Sequence, residues 1–338
     1  MTKPKPTKGP VPGSDRAWTR RSLTGLRGLS ASELRAILAR ARGFAASGGG
    51  DDLAGRTVAT LFFEDSTRTR TSFTLAAQRL GARTVDVSGS GTSVNKGESY
   101  ADTARVVEAM GVDAIVTRAR QGGAADLVAE AVRCAVVSGG DGRHEHPTQG
   151  LLDAYALAEA HGRLDGFDLS GLTVAIVGDV VNSRVARSAI AGMTALGAGV
   201  VCVGPPGLAP ASLACLGCAV SDDFDGVLAG ADAVMMLRIQ FERHGEGGDA
   251  PKPAGGEPKR TAAIASIREY RELFALTEAR AARMKPGAFV MHPGPINRGL
   301  ELDGVVADGP RSIILRQVAL GVPVRMAALA LCVGAATR

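Results

Sequence analysis

Ser66-Thr67-Arg68-Thr69-Arg70 stands where an apolar, strand-like run at residues 57–63 gives way to a helix-like pattern. A strand that turns directly into a helix opening with hydroxyls and guanidiniums is a phosphate receptor. The first-turn N–H groups have no intrahelical partner, and the helix dipole is positive at that end. Three hydroxyls and two guanidiniums within five positions exceed what a cap requires, since one Ser or Thr suffices for capping and an isolated Arg is ordinary surface. Together they supply convergent donors able to grip an anion at two points.

Outward from this junction, short apolar runs alternate with helical patterns. Ser30-Ala31-Ser32-Glu33 has capping-box spacing, and Leu34, Ile37, Leu38 and Ala41 recur with helical period, so a helix starts the fold. Strands are predicted at 57–63, 83–87, 113–117 and 133–137, with helices between them, one of them at 98–110. A helix at 147–161 and a break at 162–171 precede a second alternation, with strands at 173–177, 199–203, 232–237 and 288–291. Such alternation marks parallel sheets covered by helices. The expected fold is therefore α/β, with two doubly wound parallel-sheet domains joined by helices and an active site in the interdomain cleft. The expected boundaries are 22–155, together with a C-terminal helix at about 315–338, for the first domain and 156–314 for the second. The final apolar stretch, 312–333, is expected to be interrupted at Gly321-Val322-Pro323 and to pack across both domains. Residues 1–21 read as a disordered basic tail without the apolar core of a secretory signal, and 243–259 as a mobile loop rich in Gly, Pro, Glu and Lys.

Composition supports this outline. A chain of 338 residues suits about two domains. It is 45% hydrophobic and 22% charged, and no unbroken apolar run reaches the roughly 18 residues of a membrane span. A net charge of +5 and a sequence pI of about 9.1 raise the question of nucleic acid. The basic residues are scattered and only 4% of residues are aromatic, which favours a small anionic substrate over nucleic acid or a membrane. Cys134, Cys202, Cys215, Cys218 and Cys332 read as free thiols in a reducing, cytoplasmic setting. Cys215 and Cys218 form a lone C-x-x-C with no second pair and no nearby His, so neither zinc nor redox chemistry is expected there.

The run Phe63-Glu64-Asp65-Ser66-Thr67-Arg68-Thr69-Arg70-Thr71-Ser72-Phe73 resembles the carbamoyl-phosphate signature of the aspartate and ornithine carbamoyltransferase family. Lys96-Gly97-Glu98-Ser99 with Asp102-Thr103, Asp113-Ala114-Ile115-Val116 with Arg118, and His146-Pro147-Thr148-Gln149 with Leu152-Asp153 follow in that family's order. In the second half, Arg238-Ile239-Gln240 with Glu242-Arg243, and His292-Pro293-Gly294-Pro295-Ile296-Asn297-Arg298-Gly299, look like the aspartate-accepting members. The His-Cys-Leu-Pro and Ser-Met-Gly elements of the ornithine-accepting members are missing from the sequence.

The resemblance implies transfer of a carbamoyl group from carbamoyl phosphate to L-aspartate in pyrimidine biosynthesis, with no cofactor and no metal. Carbamoyl phosphate carries a dianionic leaving group on a carbonyl carbon, so a site must hold the phosphate and polarise the carbonyl while an amine attacks. By resemblance Ser66, Thr67, Arg68 and Thr69 would take the phosphate, and Thr69, Arg118 and His146 the carbonyl oxygen. Gln149 would accept from the carbamoyl NH₂, and Gly294 and Pro295 would close around it. Lys96, with a hydroxyl at Thr92 or its substitute Ser93, would reach into a neighbouring subunit's site, which implies a homotrimer. Arg184 and Arg238, assisted by Gln240 and Lys96, would bind the carboxylates of aspartate. A regulatory chain or a dihydroorotase are the candidate partners that the family suggests.

Blander readings stand beside these. His146 could be a packed residue, or could join His144, Glu145 and Asp141 around a metal ion. Lys96 could be a solvated lysine, and Arg184 and Arg238 could form surface ion pairs with acids such as Asp179 or Glu242. Gly178-Asp179 lacks the spaced glycines of a dinucleotide fingerprint. Two departures from the family pattern are Asp65, where Pro is common, and a Gly/Pro-rich insertion at 245–258 in the loop expected to close over aspartate.

Overall fold

The computed structural model describes residues 17–88, 97–239 and 266–337. The positions Thr92, Ser93, Lys96, Gln240, Glu242 and Arg243 and the loop at 245–258 lie outside the described residues.

The first unit comprises β1 (Ser22–Leu23), α1 (Ala31–Ser47), β2 (Thr57–Phe62), α2 (Thr67–Arg79), β3 (Arg83–Ser88), α3 (Tyr100–Ala109), β4 (Ala114–Ala119), α4 (Ala124–Ala131) and β5 (Ala135–Asp141). The capping box is present at the start of α1: Ser30 Oγ accepts from Glu33 N–H while the Glu33 carboxylate accepts from Ser30 N–H. The helix α5 (Pro147–Ala160) leads out of this unit. The second unit contains β6 (Thr173–Val177), α6 (Arg184–Ala195), β7 (Gly199–Val203), β8 (Ala219–Ser221), α7 (Phe224–Leu228), β9 (Ala233–Met236), α8 (Ile267–Phe274), α9 (Glu278–Ala282), β10 (Phe289–Met291) and α10 (Gly304–Ala307). The helix α11 (Ile314–Ala336) closes the chain.

Both sheets have five strands, ordered β1-β5-β4-β2-β3 and β10-β9-β6-β7-β8, and every pairing is parallel. Helices cover both faces, so the interior strands are apolar on both sides; all residues of β4 and β5 are buried. Strand order reverses between β2 and β4 in the first sheet and between β6 and β9 in the second. Ligands of open α/β sheets bind at such reversals, beyond the carboxyl ends of the strands. Ser66–Arg70 follows β2 and Arg118 ends β4, while Arg184 follows β6 and Arg238 follows β9. Each half thus sets its candidate residues at its own switch point.

Three expectations are corrected. The ordered chain begins before residue 22: Trp18 is 1% exposed, and Arg21 donates to the carbonyls of Ala129, at 2.8 Å, and Val132. The C-terminal helix is not interrupted at Gly321-Val322-Pro323, because α11 runs through Pro323. A proline inside a helix costs about 3 kcal/mol, and burial of Leu320, Val324, Met326, Ala327 and Leu329 against α1, α2 and α5 holds this one together. The short strands β1 and β8 were not expected, for their two and three residues are too few to show a period. By length and composition α11 could cross a membrane, but 67% of its apolar window is buried inside the protein, as in a core helix.

Candidate active site

The first turn of α2 lies just beyond the carboxyl end of β2, at the strand-order reversal of the first sheet. Ser66 is its N-cap and makes no side-chain capping bond, so its hydroxyl is not committed to the helix. The first backbone bond of the turn is Arg70 N–H to Ser66 O at 3.1 Å, which leaves the N–H groups of Thr67, Arg68 and Thr69 ahead of it. Thr69 is buried, and Arg68 and Thr67 are exposed.

Arg118 is 9% exposed; it donates to Gly139 O at 2.8 Å and to Glu64 Oε1 at 3.1 Å. Arg184, the first residue of α6, is 6% exposed and grips the same carboxylate at two points, Nη1 to Oε2 at 2.9 Å and Nη2 to Oε1 at 2.8 Å. Glu64 therefore joins the two halves of the site. Gly140 makes this convergence possible: with φ +112 it has no side chain to collide with Arg118 Nη1 and Arg184 Nε, each of which would lie 3.2 Å from a Cβ there. The blander alternative for Arg184, an ion pair with an acid such as Asp179, is not what the structure shows: its partner is Glu64, and Asp179 accepts from Asn182 Nδ2 at 2.8 Å.

His146 caps α5, and its backbone N–H donates to Ser188 Oγ at 2.8 Å. Its ring is buried, and Nδ1 has no partner among the described residues. Burial first, and then the charges of Arg118, Arg325 and Arg184, hold the imidazole well below its usual value. A neutral ring among guanidiniums is a hydrogen-bond donor for an oxygen that gains charge, and the same cations oppose its protonation. The run at His144 and Glu145 does not converge with it. His144 Nδ1 lies 3.2 Å from Asp141 Oδ2, while Glu145 accepts from Leu26 N–H, Arg27 N–H and Ser188 Oγ. Among the described residues no three His, Cys, Asp or Glu side chains cluster as a metal ion would require. Cys218 is buried with its Sγ 3.5 Å from Cys202 Sγ, while Cys215 is exposed.

From the second unit, Arg238 follows β9, and its charge acts on Arg68. Burial first and Arg238 second lower the Arg68 guanidinium from its ordinary value. Gly294, at φ +66 in the loop after β10, lies so close to Arg68 that a Cβ would overlap the guanidinium. Gln149 sits one turn into α5, half-buried, with Nε2 donating to Asp153 Oδ1 at 2.9 Å. Of the candidate residues, the structure brings Arg118, Arg184 and His146 together around Glu64, and Arg68, Arg238 and Gly294 together beside the first turn of α2. Arg118 and Arg184 share the carboxylate of Glu64, while Arg68 and Arg238 lie close enough for one charge to act on the other, a concentration of guanidiniums suited to anions. The pairing of Glu64 does not follow from the sequence, where an acid directly before a cationic helix start is its one signal.

Two family models match the chain. Residues 21–159 match "Aspartate/ornithine carbamoyltransferase, carbamoyl-P binding domain" and residues 170–332 match "Aspartate/ornithine carbamoyltransferase, Asp/Orn binding domain". The chain is 52% identical over 316 residues to the aspartate carbamoyltransferase catalytic subunit of Myxococcus xanthus, covering 92% of this chain and 99% of that one. It is 48% identical over 318 residues to the protein of that name from Granulibacter bethesdensis, covering 92% and 94%. Among solved structures it resembles aspartate transcarbamoylase from Trypanosoma cruzi in complex with carbamoyl phosphate, with a TM-score of 0.77 and 27% identity over 94% of this chain and 98% of that one. Ornithine carbamoyltransferase from Pyrococcus furiosus matches with a TM-score of 0.78 and 27% identity, also over 94% and 98%.

Proposed function

The chain belongs to the aspartate/ornithine carbamoyltransferase family, and on that premise we infer that it transfers the carbamoyl group of carbamoyl phosphate to L-aspartate. The products are N-carbamoyl-L-aspartate and phosphate, in pyrimidine biosynthesis. The fold alone serves both acceptors, since enzymes named for each match it equally well. Relatives named for aspartate at about half identity and the pair Arg184 and Arg238 favour a dicarboxylate.

The first-turn N–H groups of α2, with Ser66, Thr67, Thr69 and Arg68, hold the phosphate. Arg118, His146 and Thr69 direct donors at the carbonyl oxygen, where charge grows as the amine attacks. Gln149 accepts from the carbamoyl NH₂, and Arg184 and Arg238 fix the carboxylates so that the amine faces the carbonyl carbon. The new C–N bond forms, the C–O bond to phosphate breaks, and the departing phosphate accepts the amine proton. Lys96, Thr92 and Gln240 keep the roles that the family implies for them. We assign residues 22–155 with the C-terminal helix to the carbamoyl-phosphate unit and 156–314 to the aspartate unit, a division supported by the packing of α11 on α1, α2 and α5.

A homotrimer in the cytoplasm, sharing its sites through Lys96, completes the reading. It is supported by apolar surface left open on edge strand β3 and on α3 with its C-cap, where Val85, Val106 and Met110 are 45%, 49% and 76% exposed. The observation that carries the functional reading is Glu64, which binds Arg118 beside the phosphate turn and Arg184 beside the second sheet. Comparing aspartate with ornithine as acceptor in a phosphate-release assay tests it.

A further inference from the structure

Asp153 is 0% exposed on α5, four residues beyond Gln149, and no step above uses it. Its Oδ1 accepts from Gln149 Nε2 at 2.9 Å and from Gln317 Nε2, on α11, at 2.8 Å. Its Oδ2 is buried without a partner among the described residues. Gln317 is 1% exposed, and its Oε1 accepts from the backbone N–H of His292 at 3.0 Å. His292 is itself held: Nδ1 accepts from Gly294 N–H at 2.8 Å, and Nε2 lies 3.1 Å from Glu301 Oε1, which also accepts from Asn297 N–H at 2.7 Å.

This chain of bonds has a direction. A backbone N–H can only donate, so Gln317 must turn its oxygen toward His292 and its NH₂ toward Asp153. Oδ1 is then an acceptor whether or not the carboxyl carries a proton, because a proton would sit on the unpartnered Oδ2. Gln149 must in turn point its NH₂ at Oδ1, which leaves its amide oxygen free of the relay. An amide can flip at little cost on its own; here a main-chain donor 143 residues away in sequence decides its orientation.

We propose that Asp153 and Gln317 are positioning residues that hold the Gln149 amide with its oxygen presented to the carbamoyl NH₂, and that tie this amide to the Gly294–Pro295 loop through His292. The relay lets the site tell a carbamoyl group from an acyl group of the same shape. A methyl in place of NH₂ gives the Gln149 oxygen nothing to accept, and leaves that acceptor unpaired once the ligand covers it. This rests on the functional reading above, with Gln149 facing the carbamoyl nitrogen.

The test compares carbamoyl phosphate with acetyl phosphate, which differs by NH₂ against CH₃. The KM for carbamoyl phosphate and the competitive Ki for acetyl phosphate are measured in the full-length protein and in Asp153→Ala and Asp153→Asn. In Asp153→Ala the KM for carbamoyl phosphate is expected to rise about tenfold, the loss of one hydrogen bond to a buried group, while the Ki for acetyl phosphate stays within about twofold. Asp153→Asn keeps an acceptor oxygen, so the discrimination returns. If Ala prevents folding, Asp153→Val removes the same acceptor and gives the same reading. A merely structural role would shift both ligands together; that result, unchanged discrimination, or failure of Asn to restore it would overturn the proposal. A wild-type protein that discriminates the two ligands yet leaves aspartate unreacted would count against the acceptor assignment and not against the relay.

Discussion

Glu64 and Arg184 form a two-point ion pair at 2.8 and 2.9 Å across the cleft, and 120 residues of chain separate them. Glu64 follows β2 of the first sheet and Arg184 opens α6 of the second, so the pair links the two switch points directly. Arg118 shares the same carboxylate at 3.1 Å.

Removing that carboxylate leaves two buried guanidiniums without their shared acceptor. Truncating one member of a hydrogen-bonded charge pair costs about 2–5 kcal/mol when the pair is fully buried, and the 21% exposure of Glu64 reduces this. Glu64→Ala is expected to lower kcat/KM for aspartate by about tenfold or more, with a smaller change in the KM for carbamoyl phosphate. Steady-state kinetics varying each substrate checks the split; equal effects on both would show that Glu64 does not act through Arg184.

Gly294 has no side chain where Arg68 needs room, and its φ is +66. Gly294→Ala should displace the Arg68 guanidinium and add about 1–2 kcal/mol of backbone strain. The expected result is at least a tenfold fall in kcat with weakened phosphate inhibition, by comparison with loss of one oxyanion donor. Unaltered phosphate affinity in a folded variant would remove Gly294 from the site.

Burial pushes the Asp153 carboxyl up to about 7, against the lowering effects of Gln317, Gln149 and Arg325. Between the unfolded value of about 3.9 and the native one, the folded chain holds the proton more tightly. The stability this group contributes is therefore present below the unfolded value and lost as pH rises through about 7. His146 has the opposite sign. Its lowered native value means that the unfolded chain binds more protons below about 6.5, so stability falls with falling pH there. Asp153→Asn deletes only the first effect. Its Tm relative to the wild type is expected to climb between about pH 4 and pH 7 and then level off, measured by thermal scans across that range. A difference in Tm that does not vary with pH would contradict the raised carboxyl.

Most of the fold was legible because parallel strands buried on both faces read as short apolar runs. Those at Thr173–Val177 and Gly199–Val203 match the observed bounds. The phosphate turn was legible for the same reason: its hydroxyls and guanidiniums are neighbours in the chain. What escaped depends on distant partners. Glu64 gains meaning only from Arg184, and Asp153 only from Gln317, 164 residues later. Pro323 reads as a break until the packing around α11 overrides its local preference. Trp18 looked like part of a basic tail, because one aromatic residue carries no period; burial against the core is what orders it.

The most direct test of carbamoyl transfer at the Ser66–Arg70 turn is the appearance of N-carbamoyl-L-aspartate, followed by mass spectrometry, when the protein is given carbamoyl phosphate and L-aspartate. The wild type should form it in a one-to-one ratio with phosphate and should leave ornithine unreacted. Arg68→Ala should be slower by at least about a hundredfold in kcat, the scale of a lost donor to a developing charge. Phosphate release without N-carbamoyl-L-aspartate, or near-normal turnover in Arg68→Ala, would contradict the account.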